Sequence, residues 1–187
     1  MVEEKIKMRR KSPNYFLCIA LGIFIALILK AFAFDFFRVE GFSMSPEIQD
    51  GQIIFANKLA YGLVNPFTAE IFLRWKKPQE GDVILYLYEN SWVVKRCVAI
   101  EDAPLEYFVD SEYNLIVGNR KIALSSIQYH KMRASEKIPQ GYVLAVGDNY
   151  AISYDSRNYG FVPEKNIIGK VKALPALHAK HRGEEDE

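Results

Sequence analysis

The sequence predicts a mostly β protein, one antiparallel β-sheet domain preceded by a single N-terminal transmembrane helix. Three observations carry that prediction. A stretch free of charge runs from Tyr15 to Leu29 directly behind a cluster of basic residues. Short runs rich in β-branched and aromatic residues then recur, punctuated by Gly51, Gly81, Gly118, Gly141, Gly147 and Gly160. Helical periodicity is scarce after the first apolar segment.

The apolar segment resumes beyond Lys30 through Ala31, Phe32, Ala33 and Phe34, which makes about twenty residues, enough for a helix to cross the hydrocarbon core. A lysine near the end of such a helix extends its stem and places its ammonium among the headgroups. Lys5, Lys7, Arg9, Arg10 and Lys11 precede the span, so the positive-inside rule leaves the N-terminus in the cytoplasm and exports the chain beyond Asp35. The chain therefore divides into a basic cytoplasmic N-terminus over 1–13, an anchor over 14–36, a domain over 37–175 and a polar tail over 176–187. Two other readings of the segment stay open: a helix buried in a soluble core, and a cleavable secretory signal ending at Ala31 and Ala33.

With 187 residues, half of them hydrophobic, the chain can bury one core. Its 24 basic and 23 acidic residues nearly cancel, so no global field points to nucleic acid. Cys18 and Cys97 fall in different parts of the chain, and no disulfide is expected. His130, His178 and His181 have no ligand-like spacing with cysteine or carboxylate, which argues against a metal site.

Strands are expected over 52–57, 82–88, 92–100, 105–109, 115–117, 142–146 and 167–171, with a turn at Gly118-Asn119. Between Leu63 and Trp75 the apolar residues do not alternate cleanly. Leu63, Val64, Phe67, Ile71, Phe72, Leu73 and Trp75 fit two readings equally, a surface resting on the outer membrane face or filler for the β core.

Four clusters stand out in order: Val39 to Pro46, holding Gly41-Phe42-Ser43-Met44; Asp50 to Lys58, ending at Tyr61-Gly62; Gly81 to Arg96, holding Val93-Val94-Lys95; and Gly147 to Gly160, holding Ser153, Asp155 and Arg157. Alone, a serine between Gly41 and Pro46 is an ordinary turn residue. Lys95 is odder, because strand alternation gives it a face with Val93, Cys97 and Ala99. Desolvation there would lower its pKa and let it accept a proton near neutrality.

Together the clusters resemble the type I signal peptidases, over roughly Val39 to Val171 and the preceding anchor. The resemblance implies Ser43 as nucleophile and Lys95 as general base, a serine–lysine pair doing what serine and histidine share elsewhere. It implies that Ser153 orients the lysine amine, that Asp155 and Arg157 form a supporting ion pair, and that Met44 shapes the substrate-site wall. Gly41 stands where one branch of the family has a serine on the oxyanion, so main-chain donors such as the Ser43 amide would fill that role. The family's glycine-rich turn after the lysine strand is replaced here by Ala99 to Pro104, which leaves that hairpin in doubt. Implied with these are exported preproteins as partners, cut after small residues, contact with membrane lipid, no cofactor and no metal, and residence in the bacterial cytoplasmic membrane as a single-pass protein. Two rivals remain: a self-cleaving SOS-type regulator using the same dyad, and a non-catalytic membrane-anchored β domain.

Overall fold

The computed structural model describes residues 14–65 and 71–175. The basic start, the polar tail with His178 and His181, and Phe67 lie outside the described residues.

Helix α1 covers Tyr15–Phe32, and none of its residues is buried. At 18 residues it spans about 27 Å, close to the hydrocarbon thickness. It is long and apolar enough to cross a membrane. The apolar run does not stay helical to Phe34 as the sequence suggested. Strand β1, Phe34–Arg38, begins after one intervening residue. Its aromatic residues pair with β2, Ile53–Asn57, in a register that sets Phe34 opposite Asn57 and Arg38 opposite Ile53. Pairing across a sheet, with Phe34, Phe36 and Phe55 in edge and tilted contact, outweighs continuation of the helix.

The remaining strands are β3 (Gly62–Val64), β4 (Ile71–Arg74), β5 (Val83–Tyr88), β6 (Ser91–Ala99), β7 (Glu106–Val109), β8 (Tyr113–Val117), β9 (Arg120–Leu124), β10 (Tyr142–Val146), β11 (Val162–Pro163) and β12 (Ile167–Ala173). Short helices α2 (Ser126–Met132) and α3 (Ser156–Tyr159) interrupt them. A seven-stranded sheet is ordered β1-β2-β12-β5-β6-β10-β11, beside a β3-β4 pair and a β7-β8-β9 sheet. Among the described residues every strand pairing is antiparallel, where the sequence predicted a mostly antiparallel domain.

Strand β5 runs through the middle with both faces covered. Val83 and Leu85 enter a cluster with Met44, Ile48, Ile54 and Ile168, while Ile84 and Tyr86 enter another with Tyr61, Cys97 and Val143. That explains why its sequence is continuously apolar rather than alternating. Glu89 and Asn90, with φ of 46° and 62°, turn the chain into β6 in the two-residue manner that suits strand twist. The hairpin that the sequence left in doubt after β6 is absent. The chain turns at Asp102, whose φ is 62°, and forms only an isolated bridge between Pro104 and Lys137. The partner of β6 on that side is the distant β10.

The segment around 63–75 divides between its two readings. Val64 is buried and Ile71 packs against the core, whereas Phe72, Leu73 and Trp75 are 64%, 55% and 54% exposed.

Candidate active site

Ser43 sits in the loop that links β1 to β2. The loop ends are tied by Val39 donating its amide to the Gln52 carbonyl and Gly51 donating to that of Val39, each at 2.9 Å. Gly41 adopts a φ of 93°, a conformation that favours glycine, and its amide donates to Asp50 Oδ1 at 2.7 Å. Met44 and Ile48 plug the loop into the core, each 1% exposed. From the opposite side, Asn149 donates its amide to the Ser43 carbonyl at 3.0 Å. Gly147 makes that approach possible: a Cβ there would lie 2.5 Å from the Ser43 carbonyl oxygen and 2.2 Å from Ser153 Oγ.

Lys95 lies in β6 directly opposite Ile84. Its Nζ donates to Ser43 Oγ at 2.6 Å, across 52 residues of sequence. The residue is 5% exposed. Burial pushes its pKa down and outweighs the upward pull of the Asp155 carboxylate; the Arg157 guanidinium pushes down less than Asp155 pulls up, and Asp148 adds a smaller upward pull. Val93 and Cys97 share a core cluster on this face, as alternation predicted. Ala99 does not: it packs into a different cluster, beyond the register shift between Leu144 and Ala145 where β10 meets β6.

Ser153 is buried beside this pair, but its hydroxyl has no hydrogen-bond partner, so the bond to Lys95 expected of it is not formed. Asp155 and Arg157 are 0% and 1% exposed and joined twice, Nε to Oδ1 and Nη2 to Oδ2, both at 2.9 Å. Asp155 also accepts from the amides of Gly147 at 3.0 Å and Arg157 at 3.1 Å. Arg157 reaches the carbonyls of Ala123 and Ser153, each at 3.3 Å. The pair thus braces the segment from Gly147 to Ser153 that packs against the Ser43 carbonyl, through the Gly147 amide at one end and the Ser153 carbonyl at the other.

A cavity of about 450 Å³ opens onto the dyad, lined by Ser43, Met44 and Lys95 and walled by Phe37, Trp92 and Tyr154. Sequence reasoning gave no role to those three aromatics, nor to Arg96, which grips Asp148 with two contacts of 2.7 Å and reaches Glu47 at 3.2 Å. The available signal was strand alternation, which turns Arg96 away from Lys95, together with the aspartate inside the fourth cluster. Among the described residues, no group of three or more histidine, cysteine, aspartate or glutamate side chains could hold a metal ion.

This geometry can do one kind of chemistry well. A hydroxyl within hydrogen-bond reach of a desolvated amine is the arrangement of an activated nucleophile.

The family described as "Signal peptidase, peptidase S26" matches residues 12–175. Signal peptidase I of Bacillus amyloliquefaciens is 30% identical, covering 88% of this chain and 87% of that one. Signal peptidase I of Bacillus caldolyticus is 29% identical over 91% of this chain and 92% of its own. A crystal structure of a signal peptidase I from Enterococcus faecalis V583 is 24% identical, covers 51% of this chain and 97% of its own, and gives a TM-score of 0.36.

Proposed function

Because the chain belongs to the signal peptidase family, peptidase S26, we propose that it is a membrane-anchored serine endopeptidase that removes signal peptides from exported preproteins with a Ser43–Lys95 dyad. The observation that carries the dyad is the 2.6 Å contact between Ser43 Oγ and a lysine amine that is 5% exposed.

In the neutral amine the direction of that contact reverses, and the Ser43 hydroxyl donates to Nζ. Oγ then attacks the scissile carbonyl carbon while its proton passes to Lys95. The oxyanion that forms takes the Ser43 amide as donor. The Gly41 amide is committed to Asp50, so Gly41 contributes backbone shape rather than a donor. Collapse breaks the carbon–nitrogen bond, and Lys95 returns the proton to the leaving amine. Water, deprotonated by the same amine, then hydrolyses the acyl ester on Ser43.

Supporting roles follow from position. Met44 floors the substrate cavity. Ser153 is the proposed orienting group for Lys95, supported by a buried hydroxyl that is engaged by no other partner. Asp155 and Arg157 hold the backbone on which Ser153 and Gly147 stand.

The division of the chain proposed is residues 1–13 in the cytoplasm, a membrane anchor centred on Tyr15–Phe32, the catalytic domain beyond it on the exported face and a C-terminal tail over 176–187. The membrane is the bacterial cytoplasmic one. Phe72, Leu73 and Trp75 form a second lipid contact, because a cluster of apolar and aromatic side chains so exposed is stable at headgroup depth. Replacing Phe72 and Leu73 by serine should lower liposome binding by the catalytic domain without changing its melting temperature.

The test of the activity is direct. The detergent-solubilised protein should cut a preprotein after a small residue, and Ser43→Ala should reduce the rate by at least roughly a thousandfold while leaving the fold intact. Substantial cleavage by the purified variant would remove Ser43 from the mechanism.

A further inference from the structure

The second sequence cluster includes Lys58, a residue the catalytic dyad does not use. Lys58 follows β2, and its ammonium reaches back to the end of α1, donating to the carbonyls of Lys30 at 3.1 Å and Ala31 at 3.3 Å. It also pairs with Asp35 at 3.3 Å, with its side chain 13% exposed. Its backbone amide donates to the Ala33 carbonyl at 2.9 Å. The last carbonyls of a helix lack intrahelical partners and carry the negative end of its dipole, so a cation placed there is held by charge and by hydrogen bonds.

The contacts join two bodies. Only Ala33 separates α1 from β1, and β1 pairs with β2 from its first residue. A small cavity of about 180 Å³ at this junction is lined by Ala31 and Lys58 at the helix end, and by Phe37 and Trp92, which also wall the dyad's cavity. From the end of the helix, the five residues of β1 rise about 16 Å toward the loop that holds Ser43. With Lys58 in place, no free hinge separates the membrane segment from the nucleophile.

We propose that Lys58 is a positioning residue that locks the catalytic sheet onto the end of α1, so that Ser43 stands at a fixed height above the bilayer and preproteins are selected by the number of residues between their apolar segment and the scissile bond. This rests on the signal-peptidase reading. A preprotein's apolar segment is itself held in the bilayer, so the length of its following polar segment decides whether the scissile bond reaches Ser43. Each residue of mismatch displaces an extended chain by about 3.3 Å.

The experiment uses the full chain in liposomes and a series of preproteins that share one apolar segment and one cleavage sequence but differ in the spacer between them. A soluble peptide carrying only the cleavage sequence is assayed alongside. The wild-type rate should peak at one spacer length and fall roughly tenfold four residues away, since misplacement of reacting atoms is costly. Lys58→Met should flatten that ratio to about twofold or less while cutting the soluble peptide at the wild-type rate, and Lys58→Arg, which keeps the charge at the helix end, should restore the peak. An unchanged spacer profile in Lys58→Met overturns the proposal. So does an equal loss on preproteins and soluble peptide, because Lys58 would then support the fold rather than the height of the site. A wild-type protein that cuts neither substrate overturns the signal-peptidase reading itself.

Discussion

Lys95 and Arg157 are the two cations buried among the described residues, 5% and 1% exposed, and the protein surrounds them in opposite ways. Arg157 has a carboxylate bound twice at 2.9 Å and two carbonyls besides. Lys95 has a serine hydroxyl. A buried charge is tolerated when it is paired and hydrogen-bonded, and it neutralises when it is not. The guanidinium is given an anion; the amine, which can deprotonate, is left beside a neutral group, and its burial favours the neutral form against the upward pull of Asp155. One site uses its electrostatics to hold shape; in the proposed mechanism the other uses its burial to gain reactivity.

The largest stability effect should come from breaking the first arrangement. Arg157→Met strands Asp155 in the core, and its unfolding free energy should fall by about 3–5 kcal/mol in urea titration, with activity lost as Gly147 and Ser153 shift. Asp155→Leu combined with Arg157→Met should recover part of that loss, because no charge is then left unpaired. A single variant as stable as the wild type would mean that the pair does not brace the site.

Ser153→Ala should act in the opposite sense. Its hydroxyl is unpartnered, so removing it should change stability by less than about 1 kcal/mol, while the proposed orienting role predicts a rate roughly tenfold lower. A loss as deep as that of Ser43→Ala would make Ser153 part of the proton transfer itself.

How much of this was legible in the sequence differs between the two cations. Lys95, an ordinary surface lysine by residue type alone, was marked as odd by Val93 and Cys97 on its strand face, and its general-base role came only with the resemblance. Arg157 could be named as an ion-pair member only by resemblance, since nothing in Ser153 to Arg157 shows that the side chain turns inward to reach the Ser153 and Ala123 carbonyls. The strands over 52–57, 82–88 and 92–100 were readable from composition and spacing. β1 was not, because Phe34 and Phe36 continue an apolar run and only pairing with β2 makes them strand. β3 and β4 were hidden by the irregular pattern from Leu63 to Trp75, where Gly62 lies so close to β4 that a Cβ would meet the Leu73 carbonyl oxygen at 2.4 Å. Gly147 was visible as a turn glycine, but its close approach to the Ser43 carbonyl depends on a contact more than a hundred residues distant in sequence.

The central claim is that Lys95 works as a neutral amine, and the pH dependence of kcat/KM tests it most directly. Folding lowers the Lys95 pKa, so between the folded value and the ordinary ~10.4 of lysine the folded enzyme carries fewer protons than the unfolded chain. Across that window stability should rise with pH, and activity should already have climbed along a basic limb whose midpoint lies well below ~10.4. Lys95→Arg, which keeps the charge and cannot deprotonate, should be inactive at every pH on the profile. A limb centred near the ordinary lysine value, or an active Lys95→Arg enzyme, would contradict the account and send the search for the base elsewhere.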